Sequence, residues 1–172
     1  ETEATVLVLG LNDARANQAM SAAMTSSCDV SAAAHLPGNM VTHFAGLDAP
    51  QAATAFRLEG FAPSVQHRKG ALMALLRSYG TLEAIDEARS RTLWRSVRDA
   101  SPFWGNRDWP LWRVSTTPAR GCEFASKLPP GAQHFYDWAG GLIWIALPPS
   151  HGAGAATIRR AVTLTGGHAT LI

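Results

Sequence analysis

Two arginines, a glutamate, a serine and a histidine are the residues of this chain best placed to do chemistry. Arg57 and Glu59 sit in the apolar run Phe56-Arg57-Leu58-Glu59-Gly60-Phe61, and Arg113 and Ser115 in Leu111-Trp112-Arg113-Val114-Ser115. If both runs are strands, successive side chains alternate between faces. Phe56, Leu58, Trp112 and Val114 then face one way, and Arg57, Glu59, Arg113 and Ser115 the other. An arginine on an open sheet face suits a carboxylate, because its planar fork reaches both oxygens. His168 follows Gly166-Gly167 and is of the right type to act as a base or to hydrogen-bond a cofactor. Each residue also has a plainer reading. Arg113, and likewise Arg57, can pair with Glu59 across the sheet. His168 can simply favour the negative end of a helix dipole.

The aromatic residues divide in the same way. Trp112, Trp138 and Trp144 lie in strand-like runs, where they form either core or the wall of a site. Trp104 and Trp109 lie in the stretch from Ser101 to Pro110, rich in aromatic, Pro, Gly and Asn residues. A loop exposes large aromatics when something covers them, so these two are interface candidates. His35, His43, His67, His134 and His151 show no H-x-H or H-x-x-x-H spacing, and no metal site is expected. Cys28 and Cys122 have no metal or redox spacing and are expected as reduced thiols.

These residues need strands to carry them, and the chain supplies them twice. Phe56 to Ser64 aligns with Leu142 to Ser150: each run is apolar, ends in Pro-Ser and is followed by a helix-like segment and glycine. In the first half, Thr5 to Leu9 reads as a buried strand. Asn12 or Asp13 caps a helix with Ala16, Met20, Ala23 and Met24 inward. Cys28 to Leu36 is a second strand, with Val41 to Ala45 as a possible extra strand. Ala55 to Phe61 is the next strand. Pro63-Ser64 opens a helix buried through Val65, Leu72, Leu75, Leu76 and Tyr79, with Gly80 as its left-handed stop. Leu82 to Ile85 closes the unit. Glu87 to Arg98 is a linking helix with Leu93, Trp94 and Val97 inward.

The second half repeats the plan. Leu111 to Ser115 is a strand, Ala119 to Leu128 a short helix, and Gln133 to Trp138 and Leu142 to Leu147 are strands. The helix after Ser150 turns Ala155, Ile158, Val162 and Thr165 inward. Gly166-Gly167 stops it by a backbone effect that needs no nucleotide, and Ala169 to Ile172 is the last strand. The expected fold class is α+β, a duplicated ferredoxin-like fold (β-α-β-β-α-β twice). Its halves, about 4–86 and 110–172, are joined by 87–109. They share one antiparallel sheet with the helices mainly on one face.

At 172 residues with 47% apolar composition, the chain can bury a sizeable core. Charged residues make up only 16%, against about 25% in average chains, which fits a surface partly covered by a partner. The formal net charge is +2 and there is no basic run, so nucleic acid is not an expected partner. No stretch reaches the ~20 apolar residues needed for a transmembrane segment. The abrupt start and end read as a piece of a longer polypeptide, located in the cytoplasm.

The ordered set Glu1 to Thr5, Arg57 to Val65, Leu111 to Ser115, Asp137-Trp138-Ala139-Gly140-Gly141 and Gly166 to Leu171 resembles the FAD-binding E subunit of bacterial glycolate oxidase. Such proteins are similar to the vanillyl-alcohol-oxidase type of flavoprotein, in which an N-terminal domain grips FAD and a C-terminal cap covers the isoalloxazine. This chain looks like the cap, because it has no Gly-rich pyrophosphate loop. The resemblance implies oxidation of glycolate or a similar 2-hydroxy acid, with electrons passing from FAD to an iron–sulfur subunit. It also implies that the N-terminal FAD-binding domain and the other glycolate oxidase subunits are the partners. The fragment would be inactive alone, and the complex could hold it at the inner face of the membrane. The competing expectation is a stand-alone small-ligand-binding or protein-docking module with the same fold.

Overall fold

The run Val6-Leu7-Val8 is apolar without alternation, and in the computed structural model, which describes residues 2–105 and 107–172, all three side chains are fully buried. A strand can be apolar on both faces only if both faces are covered. That strand, β1 (Thr2–Leu9), is followed by α1 (Asp13–Met24), β2 (Ala32–Leu36), β3 (Ala53–Gly60), α2 (Ala62–Leu76) and β4 (Thr81–Ile85). The helix α3 (Glu87–Arg98) links the halves. The second half contains β5 (Leu111–Ser115), α4 (Gly121–Ala125), β6 (Gln133–Asp137), β7 (Leu142–Ala146), α5 (Ala155–Thr165) and β8 (His168–Leu171).

The eight strands form one antiparallel sheet in the order β4-β1-β3-β2-β6-β7-β5-β8. Numbered within its own half, the first half reads 4-1-3-2 and the second 2-3-1-4, the same order reversed. The halves meet where His35 of β2 faces Tyr136 of β6.

Helices α1 and α2 bury Ala16, Met20, Val65 and Leu72 against Val6, Phe56 and Leu58. Helices α4 and α5 bury Phe124 and Ile158 against Trp112, Val114 and Ile143 on the same face. The reverse face is not bare. Helix α3 lies mainly across its first half, packing Leu93, Trp94 and Val97 on Leu7 and Ala55 and reaching Phe135 of β6. Four helices therefore cover one face, and α3 covers part of the other.

Several expected details are corrected. The extra strand at Val41 to Ala45 is a 3₁₀ turn, Val41–His43. The Pro37 carbonyl accepts from both Met40 N and Val41 N, which curls the chain, and Met40, Val41 and Phe44 are buried beneath α3. Strand β2 begins only at Ala32: Asp29 is left-handed (φ 51), and Arg68 Nη1 donates to its carbonyl at 2.9 Å. Gly80 is not left-handed; a Cβ there would sit 3.0 Å from the Leu9 carbonyl oxygen, so close approach is what favours glycine. Met24 and Leu75 are exposed rather than core. The Ala119 to Leu128 helix divides into a 3₁₀ turn at Pro118–Arg120 and the five-residue α4.

The two aligned runs also differ in phase. Phe56 and Leu58 face α2, but their aligned counterparts Leu142 and Trp144 face away from α5, where Ile143 and Ile145 take the core. A one-residue slip exchanges the faces of every side chain. The repeat lies in the order of elements rather than in that alignment.

Candidate functional site

Alternation along β3 and β5 places Arg57, Glu59 and Arg113 on the sheet face away from α1, α2, α4 and α5. They line one open cleft of about 870 Å³, a volume typical of small-molecule sites. Helix α3 forms its far wall with Arg91, Arg95 and Arg98. These fall at i, i+4 and i+7, which puts them on one helical face. The carboxylates on the cleft wall are Glu3, Glu59 and Asp137.

Each cation is held differently. Arg57 Nε is 3.2 Å from Glu59 Oε2, but it is buried and not aligned for a hydrogen bond, and the guanidinium lies over Trp94 at 5.2 Å. Trp94 is fixed by a relay of hydroxyls under α3. Its Nε1 donates to Thr5 Oγ1 at 2.8 Å, Thr5 and Ser90 share a hydrogen bond at 2.7 Å, and Ser90 donates to Glu3 Oε1 at 2.6 Å. Arg91 pairs with Glu87, and Arg98 pairs with Asp99 at 2.7 Å. Among the described residues, Arg95 and Arg113 form no ion pair. The expected Arg113–Glu59 bridge is therefore absent among them: Glu59 pairs with its strand neighbour, and Arg113 lies 5.2 Å from the Trp138 ring centroid.

Asp137 ends β6, two strands from Arg57 and two from Arg113 in the sheet order. Burial pushes its carboxyl above the usual range, while the Trp138 N–H, at 2.7 Å, and the charges of Arg57 and Arg113 pull it back. The net effect is a carboxyl that holds its proton more readily than a free one. Directly after it, Trp138 (φ 50), Ala139 (φ 55) and Gly140 (φ 96) are all left-handed. The turn is held from below. A Cβ on Gly121 would sit 2.3 Å from the Gly140 carbonyl oxygen, and Asn17 Nδ2 donates to the Pro118 carbonyl at 2.7 Å. This backbone projects Trp138 to the cleft with 57% of its surface exposed.

Trp144 lines the cleft directly across from Arg113 in the β5–β7 register. Its Nε1 is buried without a partner among the described residues. Trp112 faces the helices instead, donating from Nε1 to the Ala153 carbonyl at 2.9 Å. Trp104 is 63% exposed and donates to the Asp99 carbonyl, while Trp109 is half-buried against the core under α3. His168 is exposed at the start of β8, facing Ser115, and is outside the cleft.

The opposite face carries a second polar cluster at the joint between halves. Asp13 accepts from the Tyr136 hydroxyl, lies 3.2 Å from His134 Nε2 and has its Oδ1 3.4 Å from His35 Nε2. His35 Nδ1 and Thr54 Oγ1 share a hydrogen bond at 2.9 Å. Burial alone would raise the Asp13 pKa; the contacts with His134, His35 and Tyr136 outweigh it and hold the carboxyl well below the usual range. Burial, then the adjacent Asp13 charge, push the Tyr136 phenol well above its usual value. Cys122, also raised by burial and by Asp13, and Cys28 are free thiols. Among the described residues, no group of three or more His, Cys, Asp or Glu could hold a metal ion, and no helix is long and apolar enough to cross a membrane.

Sequence reasoning placed Arg57, Glu59 and Arg113 together and left Trp138 and Trp144 open between core and site wall, but missed Arg95, Asp137 and the Asp13 cluster. The i, i+4, i+7 arginines of α3 were the available signal for the cleft's far wall. Nothing local in the sequence joins Asp13 to Tyr136. Comparison with protein-family models and with curated proteins finds no match. The class defined is therefore an α+β protein with an eight-stranded antiparallel sheet and an arginine-lined cleft.

Proposed function

We propose that this chain is the substrate-side cap of an FAD-dependent 2-hydroxy-acid oxidase of the glycolate oxidase type, with a duplicated ferredoxin-like fold. The carrying observation is the cleft itself. It lies on the sheet face that four of the helices leave free, it is lined by five arginines, and Arg113 has no carboxylate partner among the described residues. The repeated strand order supports the duplicated fold.

In this reading Arg113 receives the substrate carboxylate, and Arg57, beside Glu59 and over Trp94, adds positive charge to the cleft. FAD, held mainly by a separate domain, supplies the redox chemistry and passes electrons to an iron–sulfur subunit. The chain contributes binding, orientation and exclusion of water.

The test has two parts. The chain mixed with FAD and glycolate should show no turnover at an enzymatic rate. In the assembled flavoprotein, Arg113→Ala should raise KM for glycolate by about tenfold or more, the value of a charge-assisted contact. Turnover by the chain alone, or an unchanged KM in the assembly, contradicts the proposal.

A further inference from the structure

The cleft is larger than a two-carbon acid requires, and three tryptophans stand on its walls. Trp94, Trp138 and Trp144 all line it, half of the chain's six tryptophans. Trp94 is committed to Arg57 and to the hydroxyl relay. The other two have unmet capacity.

Trp138 is held by consecutive left-handed non-glycine residues. A non-glycine side chain in that region costs about 1–2 kcal/mol, and such strain concentrates at ligand clamps. The same turn leaves a large indole open to water at the mouth of a cleft. A single exposed tryptophan needs no explanation by itself. One held there by strained backbone, beside an unpaired guanidinium, does. Trp144 contributes the independent observation. Its side chain lines the cleft, and its indole N–H is buried with no partner among the described residues; an unmade buried hydrogen bond costs about 1–3 kcal/mol.

Arg113 and Trp144 face each other across neighbouring strands, so their side chains start about 5 Å apart. A carboxylate between them can accept from the guanidinium and from the indole N–H together. An aromatic ring attached to that carboxylate reaches Trp138, which already borders Arg113.

We propose that the cleft takes an aromatic carboxylic acid, its carboxylate held by Arg113 and the Trp144 N–H and its ring stacked on Trp138. This rests on the reading of the cleft as the substrate side. It adds aryl-substituted 2-hydroxy acids to those the cleft accepts and has them bind more tightly than small ones.

The experiment is binding of phenyllactate and of lactate to the chain, followed by isothermal titration and by tryptophan fluorescence. Phenyllactate should bind about tenfold more tightly, the scale of a favourable aromatic pair plus the ring area it buries. Trp138→Ala should abolish that preference, weakening phenyllactate binding about tenfold more than lactate binding, and Arg113→Ala should weaken both acids. Ala139→Gly, which keeps the indole and relaxes the turn, is the folding control and should retain the preference. Equal binding of the two acids, no binding of either, or a preference that survives Trp138→Ala overturns the inference. Loss of turnover in assembled Arg113→Ala protein without any aromatic preference would overturn it while leaving the cap reading intact.

Discussion

The hydroxyl of Tyr136 donates to the Oδ2 of Asp13, tying a strand of the second half to the first turn of a helix in the first. The strands themselves meet only briefly at this joint, where His35 faces Tyr136. The polar cluster around Asp13 therefore supplements a short ladder, and behind it Phe135 stacks on Phe103 at 5.7 Å and meets Phe44 edge-on at 5.0 Å. Continuity of the sheet matters for the cleft, because Arg57 belongs to one half and Asp137 and Arg113 to the other.

Asp13→Asn should destabilise the protein by about 2–3 kcal/mol, since a hydrogen-bonded charged acceptor is worth about 1.5–3 kcal/mol. Tyr136→Phe should cost about half as much. Urea denaturation of both single variants and the double variant measures the coupling. A double variant only slightly worse than Asp13→Asn is expected, because the amide oxygen accepts from the phenol more weakly than the carboxylate does.

Acid should unfold the protein through the same residue. The Asp13 pKa is lowered in the folded state, so its contribution is complete above the unfolded value of about 3.9 and is lost as pH falls toward the folded value. Asp137 has the opposite sign. Its folded pKa is raised, so its contribution is complete below the unfolded value and disappears as pH rises through the folded one. Urea midpoints between pH 3 and 7 should show a flattened acid limb for Asp13→Asn. Asp137→Asn should gain stability relative to wild type as pH rises toward neutrality.

The left-handed turn after β6 should respond to glycine in a defined direction. Ala139→Gly should stabilise by about 0.5–1 kcal/mol, because the φ of 55° is strained for alanine and free for glycine. Gly121→Ala should destabilise by about 2–3 kcal/mol, since its Cβ would collide with the Gly140 carbonyl 2.3 Å away. Thermal melts of the two variants against wild type provide the comparison.

Arg57→Ala and Arg113→Ala should separate in stability. Arg57 rests on Trp94 and beside Glu59, so its removal should cost about 1 kcal/mol through lost packing and pairing. Arg113 has no ion pair to lose among the described residues and borders a largely exposed indole. Its removal should shift the melting midpoint little. A collapse of the fold in Arg113→Ala would mark it as structural.

Elements with strong periodicity or capping were legible from sequence. The linking helix runs from Glu87 to Arg98 as expected, with Asp86 accepting from Arg89 N as its cap, and Leu111 to Ser115 is the strand read from alternation. The arginine face followed from the same period. Three things were not legible. The Val41 turn depends on one carbonyl serving two N–H donors. The phase difference between repeats depends on tertiary burial, since both Leu142 and Ile143 are apolar. The Asp13 cluster joins residues more than 120 positions apart, and no local pattern encodes it.

On the proposed cap reading, the most direct test is the KM for 2-hydroxy acids of the assembled flavoprotein, with Arg113 intact and replaced by alanine. A KM raised about tenfold or more, with the melting midpoint of the chain unchanged, is the predicted result. Identical KM and kcat in the two proteins would show that the arginine-lined cleft is not where the acid binds.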